Sequence, residues 1–486
     1  MAPPARHPSP HEIIASVFRT LSLPTPPPYS LILNYGSIPF PSSYNLTTFI
    51  ASTTLLSSVL PSLILAQRNS IDPPRVKVDR FHAAAQYVSE RVYVVADPLP
   101  PSGPRIGGLH QTKDGGHVRM HDSFPHHRNG ALKLLGLPES ATREEVAAAF
   151  LQQSSALQVE DAAHKAGLPI YALRTPEEWA AHPQAAATSA DPIILKQIST
   201  LESPTPYPLP PVAAPYRCLS GVRVLELSRV IAAPSAGKHL ASHGADVLWV
   251  TSPDLPNLPA LDIEFSRGKR SAQLDLSGNS PEDTATFIGL IKDCDVFLQG
   301  YRPGSLAAKG FSPEELVKIN PNIICANLSA WGSEGPWANL RGFDSLVQTC
   351  TGMNVSEASY SPNPSNPALP LPCQALDHAS GHLLATGICA ALYHRSLKGG
   401  AWRVDVSLAA TQKFLEGMGR IEKGGFNCRS VTGPESFPIE MFGVGETADN
   451  GMMRYVNSPA QIEGAEVGWD YMPARLGEDA AAWEER

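Results

Sequence analysis

Val222-Arg223-Val224-Leu225-Glu226-Leu227, followed by Ser228-Arg229-Val230-Ile231-Ala232-Ala233-Pro234, decides how the chain is read. The first run is rich in β-branched and aliphatic residues, as a strand buried on both faces requires. A helical pattern then runs from about Ala233 to His243 and is closed by Gly244, and Asp246 to Thr251 reads as the next strand. Strand, helix and strand in so short a span make a right-handed βαβ unit. The pattern recurs in the strand from Arg270 to Asp275, the helix from Pro281 to Lys292, and the strands from Asp295 to Gln299 and Ile323 to Leu328. Residues 217–330 therefore read as a doubly wound, Rossmann-like parallel α/β sheet. The turn after the first strand has no G-x-G-x-x-G through which a pyrophosphate could approach the backbone, so a nicotinamide dinucleotide is not expected.

The whole chain has 486 residues, 43% of them hydrophobic, enough for more than one core. Its net charge of -8 is the wrong sign for a nucleic-acid binder. Seven cysteines, none in a C-x-x-C pair, fit neither a disulfide framework nor a zinc ribbon, and a reducing, cytoplasmic setting is expected. The sequence MAPPARHPSPHEII lacks the basic and apolar regions of a signal peptide. Tyr44 to Gln67 runs 24 residues without a charge, but its serines and threonines and Pro61 point to a buried helix rather than a membrane span.

Proline and glycine punctuation divides the chain into a proline-rich segment (1–43), a mixed region (44–201), a proline-rich linker expected to be an extended spacer (202–216), an α/β region (217–425) and a short tail (426–486). An internal echo is present. Leu55 to Glu90 overlays His382 to Glu416, each reading as apolar helix, basic exit, R-V-x-V strand and second helix. The overlay sets Arg75 on Arg403 and Asp377 on Phe49, so the first copy carries no equivalent carboxylate.

Asp377 opens a helix of small residues, Asp377-His378-Ala379-Ser380-Gly381. Read locally, it is a helix N-cap, a common role for Asp. The histidine run Gly116 to Arg128 suggests a metal at first sight. His117 and His121, however, fall on a strand-like alternation without a carboxylate partner, and no metal is expected.

Several stretches stand in order: LSGVRVLELSRVIAAP with HGADVLWV, SRGKRSAQLDL, DVFLQGYRPGSLAAKGF, NLSAWGSEGPWANLRGFDSLVQTCTGM, ALDHASGHLLATGICAALYHR and GGAWRVDVSLAA. Together they resemble the family III CoA-transferases, which include formyl-CoA and carnitine CoA-transferases and α-methylacyl-CoA racemases. The resemblance implies that Asp377 is a nucleophile that attacks an acyl-CoA thioester to form an aspartyl-acyl anhydride, CoA then passing to a carboxylic acid. Coenzyme A is then a substrate, with no permanently bound cofactor. The small residues around Asp377, among them Gly381, would let the thioester approach and leave backbone N–H groups for an oxyanion. Arg302, Lys269 and Arg270 are the candidates for the CoA phosphates, with Arg267 a weaker one. Ile231 stands at the CoA-side position where formyl-CoA transferases carry glutamine, and Phe343 where racemases carry histidine, which favours transfer over racemisation. A racemase or hydratase-like member and a degenerate CoA-binding protein remain the alternatives.

By the same resemblance, GLHQTKDGGHVRMHDSFPHHRNGALKLLGL and AGLPIYALRTPEEWAAHPQ look like the family's smaller α+β lid, placed here near 101–165, before the α/β region. The chain thus reads as a rearranged tandem duplication in which 44–201 is a non-catalytic second-half copy. Family members form interlocked dimers, so a homodimer or an internal pseudo-dimer is expected.

Overall fold

The computed structural model describes residues 7–34, 36, 38–97, 99, 105–199, 201–363, 365–421 and 424–485. Residues 1–6 of the proline-rich segment and 101–104 at the start of the expected lid lie outside the described residues.

Seven strands form the main sheet, in the order Arg270–Gln273, Asp246–Thr251, Arg223–Leu227, Val296–Gln299, Ile324–Ser329, Trp402–Ser407 and Ile194–Gln197. The first six are parallel and the seventh is antiparallel. Arg223–Leu227 pairs on one side with the strand that follows it and on the other with Val296–Gln299, so the direction of winding reverses beside it. Its side chains from Val224 to Leu227 are buried because helices cover both faces. One face packs on Ala232–Ser242 and Ala375–Lys398. The other packs on Phe287, Leu290 and Ile291 of Pro281–Asp293 and on Leu316 and Val317 of Pro313–Ile319.

The sheet reaches beyond the stretch in which it was expected. Its last strand, Ile194–Gln197, lies before residues 202–216, and these residues are not a free spacer. Arg68 Nε donates to the Pro210 carbonyl at 2.6 Å, and Asn69 exchanges hydrogen bonds with the Val212 backbone at 2.7 and 3.1 Å. The extended backbone that proline imposes leaves carbonyls unpaired, and the end of the Leu46–Asn69 helix satisfies them.

The internal echo has a structural counterpart. Leu46–Asn69 and Ala375–Lys398 are both helices of 24 residues, and the overlay of Arg75 on Arg403 brings them into register within one residue. The helices pack on each other. Each is followed by a strand, Val76–Asp79 or Trp402–Ser407, which pairs in parallel with the strand before the helix, Tyr29–Ile32 or Ile324–Ser329. Each of these sheets then gains an antiparallel strand from the other half of the chain: Ala460–Ile462 joins Val76–Asp79, and Ile194–Gln197 joins Trp402–Ser407. The halves are interlaced by this exchange.

Leu46–Asn69 is long and apolar enough to cross a bilayer, and its most apolar window is wholly buried against protein. Two of its hydroxyls bond back to the helix: Thr53 Oγ1 donates to the Phe49 carbonyl at 2.8 Å and Ser58 Oγ to the Thr54 carbonyl at 2.7 Å.

The expected lid is an antiparallel sheet of Gly108–Gln111, His117–Met120 and Ile170–Ala172, extending past residue 165, with helices including Pro125–Leu135 and Arg143–Leu151. Val118, Met120, Val146 and Phe150 give it its own core. It docks beside the main sheet through His121, whose ring lies flat on Phe343 at 3.6 Å, and through Tyr171, whose hydroxyl donates to the Arg341 carbonyl.

Candidate active site

Side chains after the carboxyl ends of parallel strands face a common crevice. Here Leu274, Leu276 and Ser277, Thr251, Ser252, Asp254 and Leu255, Arg229 to Ala233, Gly300 to Arg302, Leu328 to Ala330, and Leu408 line one cleft of about 490 Å³. It crosses six strands, about 24 Å at five interstrand spacings. The lid supplies Phe124, His126 and His127 to its wall, and Asp377 opens into it beside Phe343 and Leu408. A neighbouring hollow of about 660 Å³ lies over Asn327, Arg403 and Asp405 and contains none of the expected site residues.

Asp377 sits in the first turn of Ala375–Lys398 and is 8% exposed. Its carboxyl group makes no hydrogen bond or ion pair among the described residues. It does not cap its own helix. Asp344 does so from Asp344–Cys350, its Oδ2 accepting the backbone N–H groups of Leu376 at 2.9 Å and Asp377 at 3.0 Å. Gln348 donates to the other Asp344 oxygen and accepts from the Leu371 backbone at 2.9 Å. Asp377 is thereby left free to face the cleft, and the two N–H groups nearest to it are not open to an oxyanion, contrary to the expectation for this helix start.

Three carboxyl groups gather here. Burial first, then the charges of Asp344 and Glu90, push the Asp377 pKa well above the ordinary carboxyl range. Burial pushes Asp344 up to about 6, opposed by its hydrogen bonds from the Asp377 backbone, Gln348 and Leu376. Glu90 arrives from Ser89–Val92 in the first half of the chain, and its Oε2 accepts from His378 Nε2 at 3.0 Å.

The other expected site residues divide. Ile231 lies in the cleft wall at the N-cap of Ala232–Ser242, where no side chain caps the helix. Arg302 also lines the cleft, its Nη1 donating to the Asn339 carbonyl at 3.3 Å. Gly381 does not reach the cleft. A Cβ there would lie 2.5 Å from Ser235 Cβ and 2.7 Å from the Ala232 carbonyl, so its smallness lets two helices approach.

Lys269 and Arg270 do not fit the expectation of phosphate contacts. Lys269 is buried on Glu226 at 2.8 Å and the Pro234 carbonyl at 2.8 Å. Arg270 pairs with Asp246 at 2.8 Å and with the Ala482 carbonyl at 2.8 Å. R-G-K-R leads into the amino end of the Arg270–Gln273 strand, whereas the cleft lies at carboxyl ends. Arg267 is buried between Tyr455 and Trp469, each ring 4.2 Å away, and pairs with Glu264.

Three basic residues of the cleft were missed by motif: Arg229, Lys309 and Arg341. Arg229 lies over the Phe124 ring at 4.4 Å, and burial lowers its pKa. Val230 beside it holds φ at +74°, a conformation costly for a β-branched residue and one that marks a constrained turn. Its position, directly after the first strand, was the available signal. The lid histidines pack as aromatic rings, and burial lowers His121 to about 4. Among the described residues no three His, Cys, Asp or Glu side chains gather as a metal requires.

At the position that the overlay pairs with Asp377, Phe49 is buried against Phe414 at 6.2 Å. Near that helix start, Arg420 lies 3.2 Å over the Tyr44 ring and pairs with Glu357 at 3.1 Å.

Residues 219–462 match the model of CoA-transferase family III. A probable fatty acyl-CoA transferase, Rv3272 of Mycobacterium tuberculosis, is 35% identical over 211 residues, 41% of this chain and 52% of that protein. The acetyl-coenzyme A transferase nodX of Hypoxylon pulicicidum is 30% identical over 332 residues, 64% of this chain and 54% of that protein. The formyl-CoA:oxalate CoA-transferase of Afipia carboxidovorans is 34% identical over 40% of this chain and 46% of its own length. The chain thus spans about half the length of the curated relatives it matches. Among solved structures, a CAIB/BAIF family protein from Brucella suis is 27% identical over 40% of this chain and 54% of its own, with a TM-score of 0.37.

Proposed function

This chain belongs to CoA-transferase family III, and on that premise we propose that it moves CoA between an acyl-CoA and a carboxylic acid through an anhydride on Asp377. The observation that carries the proposal is the free carboxyl of Asp377 in the cleft, released from capping by Asp344. An Asp377 oxygen attacks the thioester carbonyl, the C–S bond breaks, and CoA leaves as thiolate, giving an aspartyl-acyl anhydride. The incoming carboxylate attacks the aspartyl carbonyl and expels the donor acid. Thiolate then attacks the new acyl carbonyl, forming the product thioester and regenerating Asp377.

The length of the cleft, with Arg302 and Lys309 in its lining, suits an extended thioester that carries phosphates. Phe343, capped by the His121 ring, offers no proton donor where racemisation would need one, which supports transfer. Asp377→Asn assayed with pairs of acyl-CoA and carboxylic acid tests the reading. Loss of exchange by 10³-fold or more is expected if the nucleophile is removed, on the scale of single catalytic deletions. Exchange at the wild-type rate would overturn it.

A further inference from the structure

His378 follows Asp377 on the same helix, but its ring does not reach the cleft. It is 3% exposed and packs against Tyr87 at 5.3 Å and Phe265 at 6.0 Å. Its Nε2 meets Glu90 Oε2 at 3.0 Å, and the side chains of both residues are buried. Glu90 comes from the half of the chain in which Phe49 stands at the position of the nucleophile. A buried carboxylate held across the interface between two halves, with its charge felt at Asp377, is more than packing requires, because burying a charge is costly unless it is paired.

We propose that Glu90, held by His378, is a positioning residue for Asp377, contributed by the half of the chain that has no nucleophile of its own. The inference rests on the reading of Asp377 as nucleophile. No bond is made or broken at the pair. Glu90 acts through its field: a carboxylate surrounded by like charge is more basic, and a more basic carboxylate attacks a thioester faster once ionised. The groups around this centre are Asp344 from the neighbouring helix, Arg91 at 3.7 Å from Glu90, Tyr87, Cys373, His382 on the same helix as Asp377, and Lys238 and His239 on Ala232–Ser242. Of these, Asp344 and Glu90 are the two whose charge raises the Asp377 pKa.

The test is the pH profile of kcat/KM in the full chain for Glu90→Gln, Glu90→Asp and His378→Phe. Removing the Glu90 charge lowers the Asp377 pKa, so the acid limb of Glu90→Gln moves to lower pH by about one unit, the smaller end of the effect of a near charge. Its plateau kcat falls by at most about tenfold, the change in basicity that one pKa unit represents, while KM for the acyl-CoA stays near wild type. Glu90→Asp keeps the charge and leaves the limb in place. His378→Phe keeps the ring packing but strips Glu90 of its donor; a buried carboxylate without a partner takes up a proton, so the field is lost and the limb moves to lower pH, as in Glu90→Gln. Limbs of Glu90→Gln and His378→Phe that coincide with wild type, whatever the loss in Tm, would overturn the inference. Asp377→Asn run in parallel separates the two failures: if it stays active, the nucleophile reading falls, and if it is inactive while Glu90→Gln keeps the wild-type profile, only the role of Glu90 falls.

Discussion

Asp344 Oδ2 accepts the backbone N–H of Asp377 at 3.0 Å, so one aspartate caps the helix on which the other is displayed. Asp344→Ala removes both cap bonds and is expected to cost about 1–2 kcal/mol, the scale of a lost N-cap. Asp344→Asn keeps an acceptor oxygen and is expected to lose less. Thermal unfolding of the two variants checks the order.

The basic residues predict opposite phenotypes. Lys269→Ala strands the buried Glu226 carboxylate and should destabilise by about 3–5 kcal/mol, as breaking a buried pair does. Arg302→Ala should leave Tm unchanged and raise KM for the acyl-CoA, because the residue lines the cleft and, among the described residues, holds one long hydrogen bond. Melting curves and steady-state kinetics on both variants separate scaffold from ligand contact.

Gly381→Ala would press a methyl group onto the Ala232 carbonyl and Ser235. A loss of about 1–3 kcal/mol is expected, as for overpacking. The cleft wall at Ile231 and Ala232 should shift with the helix, so kcat/KM should fall further than stability alone explains. Kinetics well below the Tm of the variant check this.

Much of this was legible in the sequence, for identifiable reasons. Buried parallel strands such as Val224–Leu227 announce themselves as continuous apolar runs, and the placement of Asp377 follows from a small-residue helix in a family pattern. The cap was not legible, because Asp344 lies 33 residues away and only the fold brings it to Leu376 and Asp377. The placement of Lys269 and Arg270 was not legible either, because a charge run looks alike at either end of a strand, while the cleft lies at the carboxyl ends. The exchange of Ile194–Gln197 and Ala460–Ile462 between sheets is a long-range pairing with no local signature. The echo that set Asp377 against Phe49 did identify the two long helices that pack at the centre.

That echo also predicts stoichiometry. With Phe49 packed on Phe414 where a second nucleophile would stand, one acyl-CoA should bind per chain. Isothermal titration of Asp377→Asn with a non-turning-over acyl-CoA should give a ratio near one. A ratio near two would require a second competent site.

Two histidines are expected to lower stability in acid. Burial holds His82 and His121 at about 4, below the ordinary value of about 6.5. A depressed folded-state pKa means stability that is fully present above 6.5 and lost as pH falls towards 4. His121→Phe, which can keep the stack on Phe343, removes one group from that loss. Its Tm should decline less steeply than wild type between pH 6.5 and 4, with the difference in slope at most about 1.4 kcal/mol per pH unit.

The most direct test of the nucleophile is chemical trapping. The wild-type chain is incubated with an acyl-CoA and hydroxylamine, and the peptide spanning Asp377 is weighed by mass spectrometry. An acyl-CoA-dependent hydroxamate on Asp377 is expected, absent from Asp377→Asn. Turnover of the acyl-CoA with Asp377 unmodified would contradict it.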